Sequence, residues 1–212
     1  RYAIIVGIND YQYINDLRFA VNDAIDWRNY LVGEGYAISY FLTDSQATEA
    51  SITNAIQSVV AQADSDDTIV FAFSGHGSGA GGSSRLCCYN YWSGTNGGLT
   101  DTELQQAFSG FGGRVFIFLD SCHSGGMNEV VNSVNRYMTT TCTGDGYGYD
   151  VPSYQNGAWA YWFLERGLVQ GGSGHEDMEG NFDWALAQYP YGGADTPQEF
   201  DGDPTSLFYL GE

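Results

Sequence analysis

Two stretches of the chain are apolar almost without interruption. Thr68-Ile-Val-Phe-Ala-Phe leads into Ser74-Gly-His-Gly77, and Val115-Phe-Ile-Phe-Leu leads into Asp120-Ser-Cys-His-Ser-Gly-Gly126. Runs rich in Val, Ile and Phe, bounded by Gly and Ser, suit strands buried on both faces of a parallel sheet. An apolar run at about 2–8 predicts a further strand. Phe19, Ala20, Ala24, Trp27, Tyr30 and Leu31 recur at helical spacing and predict a helix over about 19–32. A strand at 36–42 follows, then a helix over 47–63 that opens after the N-cap chemistry of Thr43-Asp44-Ser45, then the strand 67–74.

Residues 78–99, rich in Gly and Ser around Arg85–Trp92, predict a surface hairpin. A short helix near 100–109, introduced by Thr100-Asp101, precedes the strand 113–120. Residues 127–156 are polar with little periodicity and read as a long loop or exposed linker. Apolar residues on most sides of Gly157–Arg166 predict a buried helix, with another near 179–188 and a final strand over Ser206–Leu210. Alternating β and α units of this kind predict an α/β fold, a mainly parallel sheet with helices on both faces. Functional groups in such sheets gather at the carboxyl ends of the strands. A His at one strand end and a Cys at another are the parts of a thiol nucleophile and its base, which points to a cysteine peptidase.

A chain of 212 residues suits one domain with a substantial core, and 43% hydrophobic against 16% charged residues describes a packed globule. The longest apolar stretches are strand-sized, so no membrane-spanning helix is predicted. Twenty-six carboxylates face seven basic residues, all of them Arg, for a net charge of −19. That balance repels nucleic acid and anionic membranes and draws in cationic peptides, although most of these charges read as a solubility surface. Four cysteines (Cys87, Cys88, Cys122, Cys142) and three histidines (His76, His123, His175) contain no C-x-x-C pair and no zinc spacing. With 29 Gly, 16 Tyr and no Lys the composition leans towards an extracellular or secreted protein, with a cytoplasmic one as the alternative. A secreted chain leaves open a disulfide from Cys87 or Cys88 to Cys142. Starting at Arg1, with neither an initiator Met nor a signal-peptide pattern, the stretch reads as a trimmed domain or processed chain.

Several short motifs occur together in one order: Tyr2-Ala-Ile-Ile-Val-Gly-Ile-Asn-Asp-Tyr11, Leu17 to Asn22-Asp23-Ala24, Ser74-Gly-His-Gly77 and Asp120-Ser-Cys-His-Ser-Gly125. Gly157-Ala158 to Leu168, Thr196-Pro-Gln198 and Asp201-Gly-Asp203 continue the series. In these motifs the chain resembles the caspase-like cysteine peptidases of clan CD (peptidase family C14), and best of all their metacaspase-type prokaryotic branch. The resemblance implies a three-layer sandwich around a six-stranded, mainly parallel sheet. It implies a large-subunit-like portion over 1–126 carrying the dyad, a linker over 127–156 and a small-subunit-like portion over 157–212. It also implies a monomer that needs no cofactor, with calcium as an ion that several metacaspases use.

Cys122 is the candidate nucleophile, and His76 the base that activates the thiol and later protonates the leaving amine. His123 adjoins the nucleophile but is expected to point away from it and to support the site, and His175 is given no role. The backbone N–H groups of Gly77 and Cys122 are the expected oxyanion hole. In metacaspase-type members the pocket for the residue before the scissile bond is acidic, and its residues match Asp23, Ser74 and Asp120. Two carboxylates there would hold an Arg guanidinium through charge-assisted bonds, so cleavage after Arg, then Lys, is expected. Arg18, near where a caspase pocket arginine falls, is the one feature at odds with this.

Arg136 is the only basic residue between Gly126 and Gly157, and in a flexible linker it would be the site of autocleavage. Asp101, Glu103 and Glu129 are the carboxylates expected to gather for calcium. Two other functions use the same parts: a non-catalytic binding or surface module on this fold, and a peptide ligase or transpeptidase sharing the acyl-enzyme.

Overall fold

The structure, a computed structural model, describes residues 1–79, 83–94 and 96–211. Its centre is a six-stranded sheet. In chain order the strands and helices are β1 (Tyr2–Gly7), α1 (Ala20–Gly33), β2 (Ala37–Thr43), α2 (Glu49–Val60), β3 (Thr68–Ser74), β4 (Gly77–Ser78), β5 (Arg85–Cys87), β6 (Gly98–Thr100), α3 (Asp101–Ala107) and β7 (Arg114–Asp120). There follow β8 (Arg136–Thr140), β9 (Asp150–Val151), β10 (Asn156–Gly157), a π-helix (Ala160–Val169), α4 (Met178–Gln188) and β11 (Gln198–Asp201). The main sheet has the order β11-β8-β7-β3-β1-β2, parallel except for β11 against β8.

Strand alternation separates two apolar layers. Ile4, Val6, Ile69, Phe71, Phe73, Val115, Ile117 and Leu119 face α2 and α3. Ala3, Ile5, Val70, Ala72, Phe116 and Phe118 face α1, the π-helix and α4, where Trp27, Trp159 and Phe163 fill the space. This is the expected α/β sandwich with helices on both faces.

The helix starts follow local chemistry. Thr48 caps α2, its hydroxyl accepting from Ser51 N at 3.2 Å, and Thr100 with Glu103 forms a capping box on α3. Helix α2 begins later than expected, because Asp44–Gln46 forms a separate 3-10 turn and Asp44 binds the loop after β1. Its Oδ1 accepts from Asn9 N at 2.8 Å and Asp10 N at 3.0 Å, tying down the loop after β1.

Four expectations are corrected. The 127–156 segment is not a linker throughout, because Arg136–Thr140 forms β8, wholly buried and parallel to β7. Its threonines are hidden from solvent yet satisfied: Trp159 Nε1 donates to Thr139 Oγ1 at 3.0 Å, and Thr140 Oγ1 donates to Cys142 O at 3.0 Å. The stretch 78–99 is a three-stranded unit, β4-β5-β6, with Leu86, Cys87, Cys88 and Leu99 in the core rather than on the surface; residues 80–82 and 95 lie outside the described residues. No strand forms over Ser206–Leu210, where Tyr209 makes a single bridge to Asp177, and β11 supplies the sheet edge instead. All four cysteines are free thiols, so the disulfide left open to Cys142 is not formed.

Candidate active site

Ser74 and Asp120 are register partners at the carboxyl ends of the neighbouring strands β3 and β7. His76 and Cys122 each lie two residues beyond that pair, so the sheet register itself brings the two motifs side by side. Both line one small cavity, about 100 Å³, together with Leu17, Ser74, Asp120, Ser121, Gly148, Tyr149, Asp150 and Gly157. A larger groove of about 830 Å³ between α1 and the π-helix contains neither His76 nor Cys122.

His76 is held on two sides. Its backbone N–H donates to Tyr11 Oη at 2.7 Å, and its Nε2 lies 2.8 Å from Asn15 O. A carbonyl only accepts, so Nε2 carries the proton and the neutral ring offers its lone pair at Nδ1. Burial lowers the pKa of His76, with the Asn15 carbonyl, Asp150 and Asp16 opposing the shift. Cys122 Sγ lies 3.8 Å from Gly148 O, and burial raises its thiol pKa. Both shifts favour a neutral thiol beside a neutral imidazole at rest. Gly77 packs directly on the backbone of Cys122: a Cβ there would fall 1.9 Å from Cys122 O, so only glycine fits.

Two carboxylates stand at the cavity, Asp120 in its wall and Asp23 behind it. Asp120 is 5% exposed, and its Oδ2 accepts from Trp159 N at 3.1 Å and Ala160 N at 2.9 Å. Asp23, fully buried, does not line the cavity; it stands directly behind Ser74, whose Oγ donates to Asp23 Oδ2 at 2.5 Å. Asn156 Nδ2 and Gly157 N donate to Asp23 as well, both at 3.0 Å to Oδ1. Burial pushes Asp120 up to about 6 and raises Asp23 well above the usual carboxylate range, with the charge of Asp120 adding to the shift on Asp23. Gly157 is what lets the two approach: a Cβ there would lie 2.3 Å from Asp120 Oδ2 and 2.8 Å from Asp23 Oδ2.

Residues outside the expected set complete the site. Asp150, half-buried, lines the cavity and accepts from Arg18 N at 2.8 Å. Arg18 itself is exposed and meets Asp150 through its backbone. Tyr11, Asn15, Gly148 and Asn156 act through a hydroxyl, carbonyls or an amide, which no motif spacing advertises. Gly157 stood within a motif of the sequence but its packing role needed coordinates.

His123 turns away, as expected: at φ 60° its Nδ1 lies 3.0 Å from Gly144 O and its ring packs on Tyr147. His175 lies apart, beside Asp177. Arg136 is corrected. It is 4% exposed, and its guanidinium donates to Phe111 O at 3.0 Å and Phe108 O at 3.4 Å, so no flexible autocleavage site exists there. The calcium carboxylates do not converge. Glu103 Oε2 accepts from Thr100 N at 2.9 Å, and Asp101 and Glu129 meet only through Thr102. Among the described residues no three His, Cys, Asp or Glu come together as metal ligands.

The family model for the caspase domain matches residues 1–185. This chain belongs to the caspase domain family, a family of cysteine peptidases. Among its relatives are Metacaspase-1 of Eremothecium gossypii, 30% identical over 146 residues (59% of this chain, 32% of the relative), and Metacaspase-1 of Meyerozyma guilliermondii, 38% identical over 84 residues (35% and 20%). The chain therefore spans between a fifth and a third of these curated relatives. A crystal structure of a Geobacter sulfurreducens protein superposes with a TM-score of 0.77 at 19% identity, covering 96% of this chain and 94% of that one. Caspase-1 of Spodoptera frugiperda does so at 0.71 and 12% identity, covering 99% and 90%. At such identities the two structures speak for the caspase fold alone.

Proposed function

We propose that this caspase domain is a cysteine endopeptidase that cleaves after Arg and, less readily, after Lys. The observation that carries the proposal is the single cavity lined by Cys122, His76, Ser74 and Asp120. As sulfur attacks the substrate carbonyl carbon, His76 Nδ1 takes the thiol proton and the C=O electron pair moves onto oxygen. Collapse reforms C=O and breaks the C–N bond, the amine leaving with the proton returned by His76. A thioester remains on Cys122. Water, deprotonated by His76, then releases the acid, and the thiol recovers its proton. The backbone N–H groups of Gly77 and Cys122 receive the oxyanion.

The preference for Arg follows from the carboxylate pair. Asp23 and Asp120 are buried, and the charges that act on them are negative, Asp120 on Asp23 and Asp150 on Asp120. A guanidinium entering the cavity would meet Asp120 directly, with Asp23 behind Ser74, and would offset part of this negative charge. Fluorogenic peptides ending in Arg, Lys or Asp, tested with wild type and Cys122→Ala, decide the matter. Turnover ordered Arg, Lys, Asp and lost on substitution is expected. Preference for Asp, or activity surviving the substitution, overturns the proposal, and joined rather than cut peptides by mass would make the domain a ligase.

A further inference from the structure

One polar side chain of the cavity has nothing to bond among the described residues. Ser121 is 2% exposed, lines the cavity beside Cys122, and its Oγ has no hydrogen-bond partner among those residues. The other serine of the cavity, Ser74, is already committed to Asp23. A buried hydroxyl without a partner is destabilising, so the fold retains it at a disadvantage in the free enzyme.

Its direction separates it from the arginine pocket. Asp120 is the last residue of β7, and Ser121 follows it in a bend, where the contacts of the two side chains diverge. Asp120 turns to the face of Trp159 and Ala160. Ser121 instead turns towards Gly77, its Oγ 3.0 Å from the point a Gly77 Cβ would occupy. It therefore lies against the Gly77 backbone, whose N–H is one of the two proposed oxyanion donors.

We infer that Ser121 Oγ–H is a third donor to the oxyanion, rotating onto it as the tetrahedral intermediate forms. The hydroxyl gains its missing acceptor only at that stage, so the interaction is stronger in the transition state than with bound substrate. This rests on the peptidase reading above.

The test compares Ser121→Ala and Ser121→Thr with wild type on a peptide ending in Arg. Three quantities are read: kcat and KM, the affinity of the matching peptide aldehyde, and the rate of Cys122 alkylation by iodoacetamide. The aldehyde adds the thiol across its C=O, the thiol proton ending on oxygen, and so presents a tetrahedral oxygen to the hole. Alkylation forms an S–C bond with loss of iodide and generates no oxyanion.

Ser121→Ala is expected to lower kcat at least 10-fold, towards the roughly 10²-fold typical of losing one such donor. KM should change little, aldehyde affinity should fall by a similar factor, and alkylation should keep its rate. Ser121→Thr, which retains the hydroxyl, should recover most of the loss. Wild-type kcat in Ser121→Ala, or losses of kcat and alkylation in parallel, overturns the role of Ser121 while an active wild type leaves the peptidase reading standing. An inactive wild type fails that reading and this inference together.

Discussion

Replacing Asp120 by Asn should make the protein more stable and a poorer enzyme for arginine. The asparagine oxygen can keep the N–H groups of Trp159 and Ala160, now 3.1 and 2.9 Å from Asp120 Oδ2, so the backbone of the π-helix start is held as before. What disappears is a charge in a dry site. Burial pushes the Asp120 carboxyl up to about 6, so the folded protein holds this proton more tightly than the unfolded chain, where a carboxyl titrates near 3.9. Ionising it therefore costs the folded state on the order of 3 kcal/mol. That cost is complete above about pH 6, shrinks on acidification and is gone below about pH 4. In a domain of this size 1 kcal/mol corresponds to roughly 2–4 °C in Tm, so D120N should melt several degrees above wild type at pH 8 and level with it at pH 4. Thermal unfolding of both proteins across that range is the assay. On peptides ending in Arg the same variant loses a charged hydrogen bond of about 1.5–3 kcal/mol, a fall of roughly 10- to 150-fold in kcat/KM. A stability difference that is absent at pH 8, or that stays constant with pH, would refute the idea of a strained carboxylate pair.

Two further outcomes follow from the same geometry. Burial raises the Cys122 thiol and lowers His76, so iodoacetamide alkylation of the free enzyme should be slow at pH 6 and still rising above pH 8.5; a plateau from pH 5 would instead reveal a preformed thiolate–imidazolium pair. Arg136→Ala should destabilise the fold by about 3 kcal/mol or more, because three buried carbonyls lose their donor, and native wild type should yield no fragment beginning at Tyr137; denaturant titration and N-terminal sequencing check the two halves.

Period and punctuation in the sequence determined the strands β1, β3 and β7, the helices between them, and the two strand ends that carry His76 and Cys122. Those features are local: a buried run and the glycines that stop it are both visible in one dimension. The parallel register then does the rest, since Ser74 opposite Asp120 puts the two motifs next to each other. Where burial is decided by distant partners, the sequence misleads. Arg136-Tyr-Met-Thr-Thr140 has the polarity of a loop, yet it is an inner strand because Trp159 and the carbonyls of Phe108, Phe111 and Gly113 satisfy its polar groups. Asp23 likewise reads as one acid on an amphipathic helix. Only the arrival of Gly157, some 130 residues later in the chain, encloses it against Asp120 and turns it into a buried carboxyl. Hydrogen-bond satisfaction and desolvation depend on the whole surroundings of a group, so the tertiary structure alone decided which polar residues are hidden and which hydroxyl, Ser121, has no partner among the described residues.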